Sequence, residues 1–192
     1  EIGILADDTA RAEDVAADLL SQAEHDVNAR AILITDSSNL ATAVSAAVEQ
    51  QLETLPREAI ARSAIDKNGY IYLVDTIDDM IELMNAVAPE HLEIQLANAY
   101  DYMAKIQNAG SVFLGKYASE PLGDYLAGPN HILPTGGTAR FSSALGVWDF
   151  QKRIQYLQYN AAALAEDAND VTALARIEGL EGHARAIESR GK

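Results

Sequence analysis

Apolar residues follow two rhythms along this chain: short unbroken blocks, and longer stretches where they recur every third or fourth position. Ile2–Ala6 is such a block, closed by Asp7-Asp8-Thr9, the pattern of a buried strand. From Ala10 to about Glu24, Val15, Ala16, Leu19, Leu20 and Ala23 keep helical spacing. Ala31–Thr35 predicts a second strand. Asp36-Ser37-Ser38 supplies caps for a helix that runs to about Leu55 and stops at Pro56. A weaker helix over Arg57–Asp66 ends at Asn68-Gly69, ahead of a third strand, Tyr70–Val74. Asp75-Thr76 then caps a helix through Val87, which Pro89 ends. Strands alternating with helices in units of roughly 30 residues predict parallel βαβ connections and an α/β fold.

After Pro89 the rhythm loosens. His91–Leu96 reads as a short strand, Asp101–Asn108 as a helix stopped by Gly110, and Val112–Gly115 as another strand. Residues 123–143 follow, with Pro129, Pro134 and four glycines set among Asp124, His131 and Arg140. That density of breakers predicts a long ordered loop in place of a helix or central strand, and such loops usually carry function. Tyr125, Leu126, Ile132 and Phe141 in the same stretch call for burial. Phe150–Tyr159 fits no element clearly, whereas Ala161–Ala175 and Gly182–Arg190 read as helices. The tail's Leu164, Val171, Leu174, Ile177 and Leu180 are too many for a lone helix pair. They call for a partner surface, either the α/β body or another subunit.

Composition narrows the class. At 192 residues, with 48% hydrophobic and 22% charged, the chain is an ordinary globular one with length for a sizeable core. A formal net charge of −15 with no basic block argues against a nucleic-acid partner. The absence of cysteine rules out disulfides and thiolate metal sites and fits a reducing compartment. There is no apolar run of about 18 residues and no signal-like opening, so the expectation is a cytoplasmic protein without membrane contact. The chain opens without Met, directly into a strand-like run, and is read as a piece of a longer polypeptide.

Four histidines carry the candidate chemistry. His25 follows Gln22 by three residues at a helix end, on the same face; a polar terminus at the negative end of the helix dipole explains the pair equally well. His91 follows Glu90, and together they offer a carboxylate and an imidazole, though an exposed loop pair is the commoner arrangement. His131 lies in the breaker-rich loop seven residues after Asp124, and His183 five after Glu178. Taken jointly, histidines, an aspartate and an oxygen donor suit a borderline cation such as zinc. There is no His-Glu-x-x-His, no Gly-rich phosphate loop, no Gly-x-Ser-x-Gly elbow and no dinucleotide fingerprint, since Ala6-Asp7-Asp8-Thr9 follows the first strand. The residues alone lead to a metal-assisted enzyme on an α/β scaffold.

Five segments go further: Leu19–Asp26, Ala88-Pro89-Glu90-His91-Leu92-Glu93, Asn108-Ala109-Gly110, Gly123–Ser143 and Glu178–Ala184. In order and spacing they resemble histidinol dehydrogenase, and the likeness covers essentially the whole chain. The resemblance implies incomplete Rossmann-like parallel sheet layers with a C-terminal helical tail. It divides the chain into an α/β unit over 1–90, a second α/β segment over 91–146 holding loop 123–143, and a helical dimerisation tail over 147–192.

The implied activity is zinc-dependent oxidation of L-histidinol through the aldehyde to L-histidine with two NAD+, the last step of histidine biosynthesis. By the same resemblance Gln22, His25, Asp124 and His183 stand at zinc-ligand positions, one zinc per subunit. Glu90 and His91 stand as the acid/base pair. His131 and Glu178 stand as substrate contacts, together with His91 and the four ligands. The family is an intertwined homodimer whose tail completes the partner's site. Its Gly-Pro-Ser-Glu segment is represented here only from Glu1, and its NAD contacts are expected in an N-terminal half absent from this chain, so the chain alone is expected to be inactive. Two other readings stay open: a relative oxidising a different amino or sulfonated alcohol, and a non-catalytic zinc- or ligand-binding or assembly module.

Overall fold

Five short strands assemble into one parallel sheet. A computed structural model describes residues 1–191. Its strands are β1 (Ile2–Ala6), β2 (Ala31–Thr35), β3 (Gly69–Leu73), β4 (His91–Gln95) and β5 (Ser111–Leu114), in the order β3-β2-β1-β4-β5. Every pairing is parallel, and Ile2 is in register with both Ala31 and His91. β1 therefore lies at the centre, where the chain leaves for β2 on one side and later returns as β4 on the other.

Helices cover both faces. On one, Ile2, Ile4, Ala31 and Leu33 pack with α1 (Ala12–Ala23), α2 (Ser38–Leu52) and α3 (Glu58–Asn68). On the other, Leu5, Ile32, Ile34, Leu92 and Ile94 pack with Met80 and Met84 of α4 (Ile77–Val87). The caps are those the sequence predicts: Ser37 Oγ accepts from the Leu40 amide, and Thr76 accepts from the Asp79 amide.

Three expectations change. The helix expected over 101–108 is a run of 3-10 turns, Ala99–Lys105, because Asn85 Oδ1 takes the Gln107 and Asn108 amides at 2.7 and 3.2 Å. The breaker-rich stretch does not begin as a loop: Gly123, Asp124 and Tyr125 finish a short helix, α5 (Glu120–Tyr125). Pro121 is tolerated there because it sits in the first turn, where its missing N–H leaves no bond unmade. Tyr125, Leu126, Ile132 and Phe141 are exposed, not buried as expected.

The chain falls into two compact units, Glu1–Phe150 and the residues from Gln151 onward; β4 and β5 belong to the first. In the second unit α6 (Ala161–Ile177) packs on α7 (Glu181–Glu188). Asn160 caps α6, and Gly179, at φ +77, closes it. Leu174, Ile177 and Leu180 stay exposed. Among the described residues no helix is long and apolar enough to cross a membrane.

Candidate active site

Polar and apolar residues alternate along β4. Leu92 and Ile94 join the α4 core, so His91, Glu93 and Gln95 take the α1 face. In a strand covered on one side such a polar face would meet water. β4 is internal, all five of its residues are buried, and the polar face is enclosed. Opposite it, α1 carries Asp18, Gln22 and, just past its end, His25, a stripe with helical spacing. Gln95 Nε2 donates to Asp18 Oδ2 and to Glu93 Oε2, each at 2.8 Å.

The entry into β4 is tightly held. Ala88, in the left-handed region at φ +53, ends α4, and Pro89 directs the chain into the strand. The Gly110 and Ser111 amides donate to the Pro89 and Glu90 carbonyls at 3.0 and 2.9 Å. Residue 110 must be glycine for this approach, since a Cβ there would lie 2.5 Å from the Glu90 carbonyl oxygen.

His91 is 3% exposed. Its Nδ1 lies 3.2 Å from the Glu1 carbonyl oxygen, which can only accept, so the proton is assigned to Nδ1 and the lone pair to Nε2. Nε2 is buried and has no hydrogen-bond partner. It faces Asp124 Oδ1 at 3.8 Å and Glu120 Oε1 at 3.9 Å. Burial pushes the imidazole below its ordinary pKa, against the opposing pull of the Glu90 and Asp124 charges. The product is a neutral ring with a bare, directed lone pair, a base in waiting.

Around it, His131 Nδ1 lies 2.6 Å from Asp124 Oδ1, and the two imidazoles stack with centroids 5.7 Å apart. Ligand atoms of His91, Asp124 and His131 all lie within 4.8 Å of one another, near enough to share a cation. Glu90 Oε2 accepts from the Glu1 nitrogen at 3.0 Å. Burial, then the hydrogen bond and charge of Asp124, pushes the Glu120 carboxyl up to about 8. Burial, then the Asp18 charge, does the same to Glu93.

Of the residues singled out from sequence, Glu90, His91, Asp124 and His131 come together here. Gln22 is buried with its Oε1 unpartnered, and His25 is exposed beyond it. Glu178 and His183 are exposed in the second unit. Sequence reading missed Asp18, Glu93, Gln95 and Glu120. The His-Leu-Glu-Ile-Gln alternation was the available signal for Glu93 and Gln95, once β4 is placed inside the sheet.

The histidinol dehydrogenase family model matches residues 1–191. The chain belongs to the histidinol dehydrogenase family. It is similar to the histidinol dehydrogenase of Lactiplantibacillus plantarum, 67% identical over 190 residues, which are 99% of this chain and 44% of that protein. That of Streptococcus mutans is 63% identical with the same coverage. A crystal structure of histidinol dehydrogenase from Elizabethkingia anophelis superposes with a TM-score of 0.81 at 39% identity, covering 98% of this chain and 43% of that one. The chain thus spans under half the length of the curated relatives it matches.

The chain carries Glu1, Glu90 and His91 at the amino ends of β1 and β4. Doubly wound sheets usually bind ligands at the other edge. A crevice of about 810 Å³ does lie there, lined by Thr9, Leu96, Tyr100 and Lys116. Beside it, Asp7 accepts the Ala97 amide at 2.8 Å through Oδ2 and the Thr9 amide at 3.0 Å through Oδ1.

Proposed function

We propose that this chain carries the acid/base pair and the zinc-binding groups of an enzyme that oxidises L-histidinol through L-histidinaldehyde to L-histidine, with NAD+ as oxidant. The observation that carries this reading is the buried His91, with Nδ1 turned to the Glu1 carbonyl and Nε2 bare beside Asp124.

The proposed zinc ligands are Gln22, His25, Asp124 and His183, the last from a second copy of the chain. The donor chemistry suits the metal: one amide oxygen, two imidazoles and one carboxylate leave zinc(II) with net charge near +1. The buried, unpartnered Gln22 Oε1 is a donor in want of such a partner. Bound there, zinc would act chiefly as a template for the nitrogen donors of the substrate. By the family resemblance, we assign the dinucleotide to the part of the family chain that this sequence does not span.

His91 Nε2 takes the hydroxyl proton as the alcohol is oxidised, and the imidazolium so formed lies between Asp124 and Glu120. Glu90 takes a proton from the water that adds to the aldehyde, ahead of the second oxidation. His131 and Glu178 contact the substrate. The exposed tail residues Leu174 and Ile177 are covered in a homodimer, and the site of action is the cytoplasm.

Isothermal titration of L-histidinol tests the reading. Binding is expected with zinc present, and to be lost on chelation or in Asp124→Ala. Equal affinity with and without zinc, and in both proteins, would overturn it.

A further inference from the structure

We propose that Glu93 is the positioning residue for Asp124, gripping the first residue of α5 from inside the sheet and so setting where that helix presents the carboxylate. The inference rests on the reading of Asp124 as a zinc ligand. Glu93 is fully buried in the middle of β4. Its Oε1 accepts the Glu120 backbone N–H at 2.8 Å, and its Oε2 accepts from Gln95 Nε2, which is fastened to Asp18 of α1.

α5 needs such a grip. It has six residues, too few to hold itself, and Ser119 before it makes no side-chain cap bond. Glu120 and Asp124 are four residues apart and share one helix face, so holding the Glu120 amide indexes both. His91 precedes Glu93 by two residues on the same face of β4. The strand therefore carries His91 directly and Asp124 through Glu93, and the 3.8 Å between His91 and Asp124 is set from one element. An apolar side chain of similar size would fill position 93 without burying a carboxyl group, but it would leave the Glu120 amide unpaired.

Three variants test this. Glu93→Met removes the grip, and Glu93→Gln keeps the acceptor oxygen and the size. Ile94→Ala weakens the same strand on its opposite face. Zinc affinity by equilibrium dialysis and the His131 ring resonances by NMR are read beside the thermal midpoint. Glu93→Met should weaken zinc binding by about 10- to 100-fold, the usual effect of losing a partner that orients a ligand, and Glu93→Gln by only about threefold or less. Glu93→Met alone should shift the His131 resonances, because Asp124 holds that ring at 2.6 Å. Ile94→Ala should lower the midpoint and leave both site readouts near wild type. Unchanged zinc affinity and resonances in Glu93→Met, or equal losses in Ile94→Ala, would overturn the inference. Should wild type take up no zinc, the ligand reading fails by itself, and the His131 resonances then decide for or against Glu93.

Discussion

His91 Nε2 faces Asp124 Oδ1 across 3.8 Å with no hydrogen bond to it, so the imidazole feels a carboxylate yet remains unprotonated. Burial lowers its pKa in the folded chain from the ordinary 6.5. Below that value the unfolded chain takes up a proton that the folded chain refuses. This contribution to stability is therefore lost as pH falls from about 6.5 to the lowered folded value, and is level below it. Urea unfolding over this range should show the decline, and His91→Asn should reduce it. An identical acid slope in both proteins would contradict the burial argument.

Glu93 works in the opposite direction. Its carboxyl, pushed from 4.5 up to about 8, stays protonated in the folded chain while the unfolded chain ionises. Its stabilising effect is complete below about 4.5 and is lost as pH rises through about 8. Glu93→Gln should shallow that alkaline decline and leave the share due to Glu120. No change in slope would place the Glu93 proton elsewhere.

The strands and most helices were legible because their apolar spacing and caps agree locally: Ser37 and Thr76 cap the helices they were expected to cap. The Glu90-His91 pair stood out in the sequence as a carboxylate beside an imidazole, but the burial of His91 did not. Asp18 and Glu120 were not, since a carboxylate on a helix reads as a solvated one until tertiary packing encloses it. α5 was missed because prolines and glycines outweighed one short turn whose support, the Glu93 carboxyl, lies 27 residues earlier. Tyr125, Leu126, Ile132 and Phe141 are apolar by identity, but nothing in the described chain covers them.

Gly110→Ala tests the close approach behind Glu90. The new Cβ would meet a backbone oxygen at 2.5 Å, with no flexible side chain to yield. A loss of about 1–3 kcal/mol is expected in denaturant unfolding, the usual cost of overpacking, with L-histidinol binding weakened as Glu90 shifts. Wild-type stability would mean the two segments are looser than this contact implies.

Leu174 and Ile177 stand exposed on α6. If the tail is covered in a homodimer, light scattering should give a dimer for wild type and a monomer for the Leu174→Ser, Ile177→Ser double variant. A wild-type monomer at micromolar concentration would remove the second copy's His183 from the zinc site.

The two roles at the start of β4 should separate in a polypeptide of the family's full length carrying this sequence. Glu90→Gln should spare alcohol oxidation more than aldehyde oxidation, since only the second step needs an activated water. The present chain alone should form no NADH, because the dinucleotide is assigned to the part of the family chain that this sequence does not span.

The central claim is that the bare Nε2 of buried His91 is the base, and NADH formation from L-histidinol by that full-length protein tests it most directly. His91→Asn should lower turnover by about 10²–10⁴-fold, the usual worth of a positioned general base, while zinc content is retained. Near wild-type turnover in His91→Asn would contradict the account.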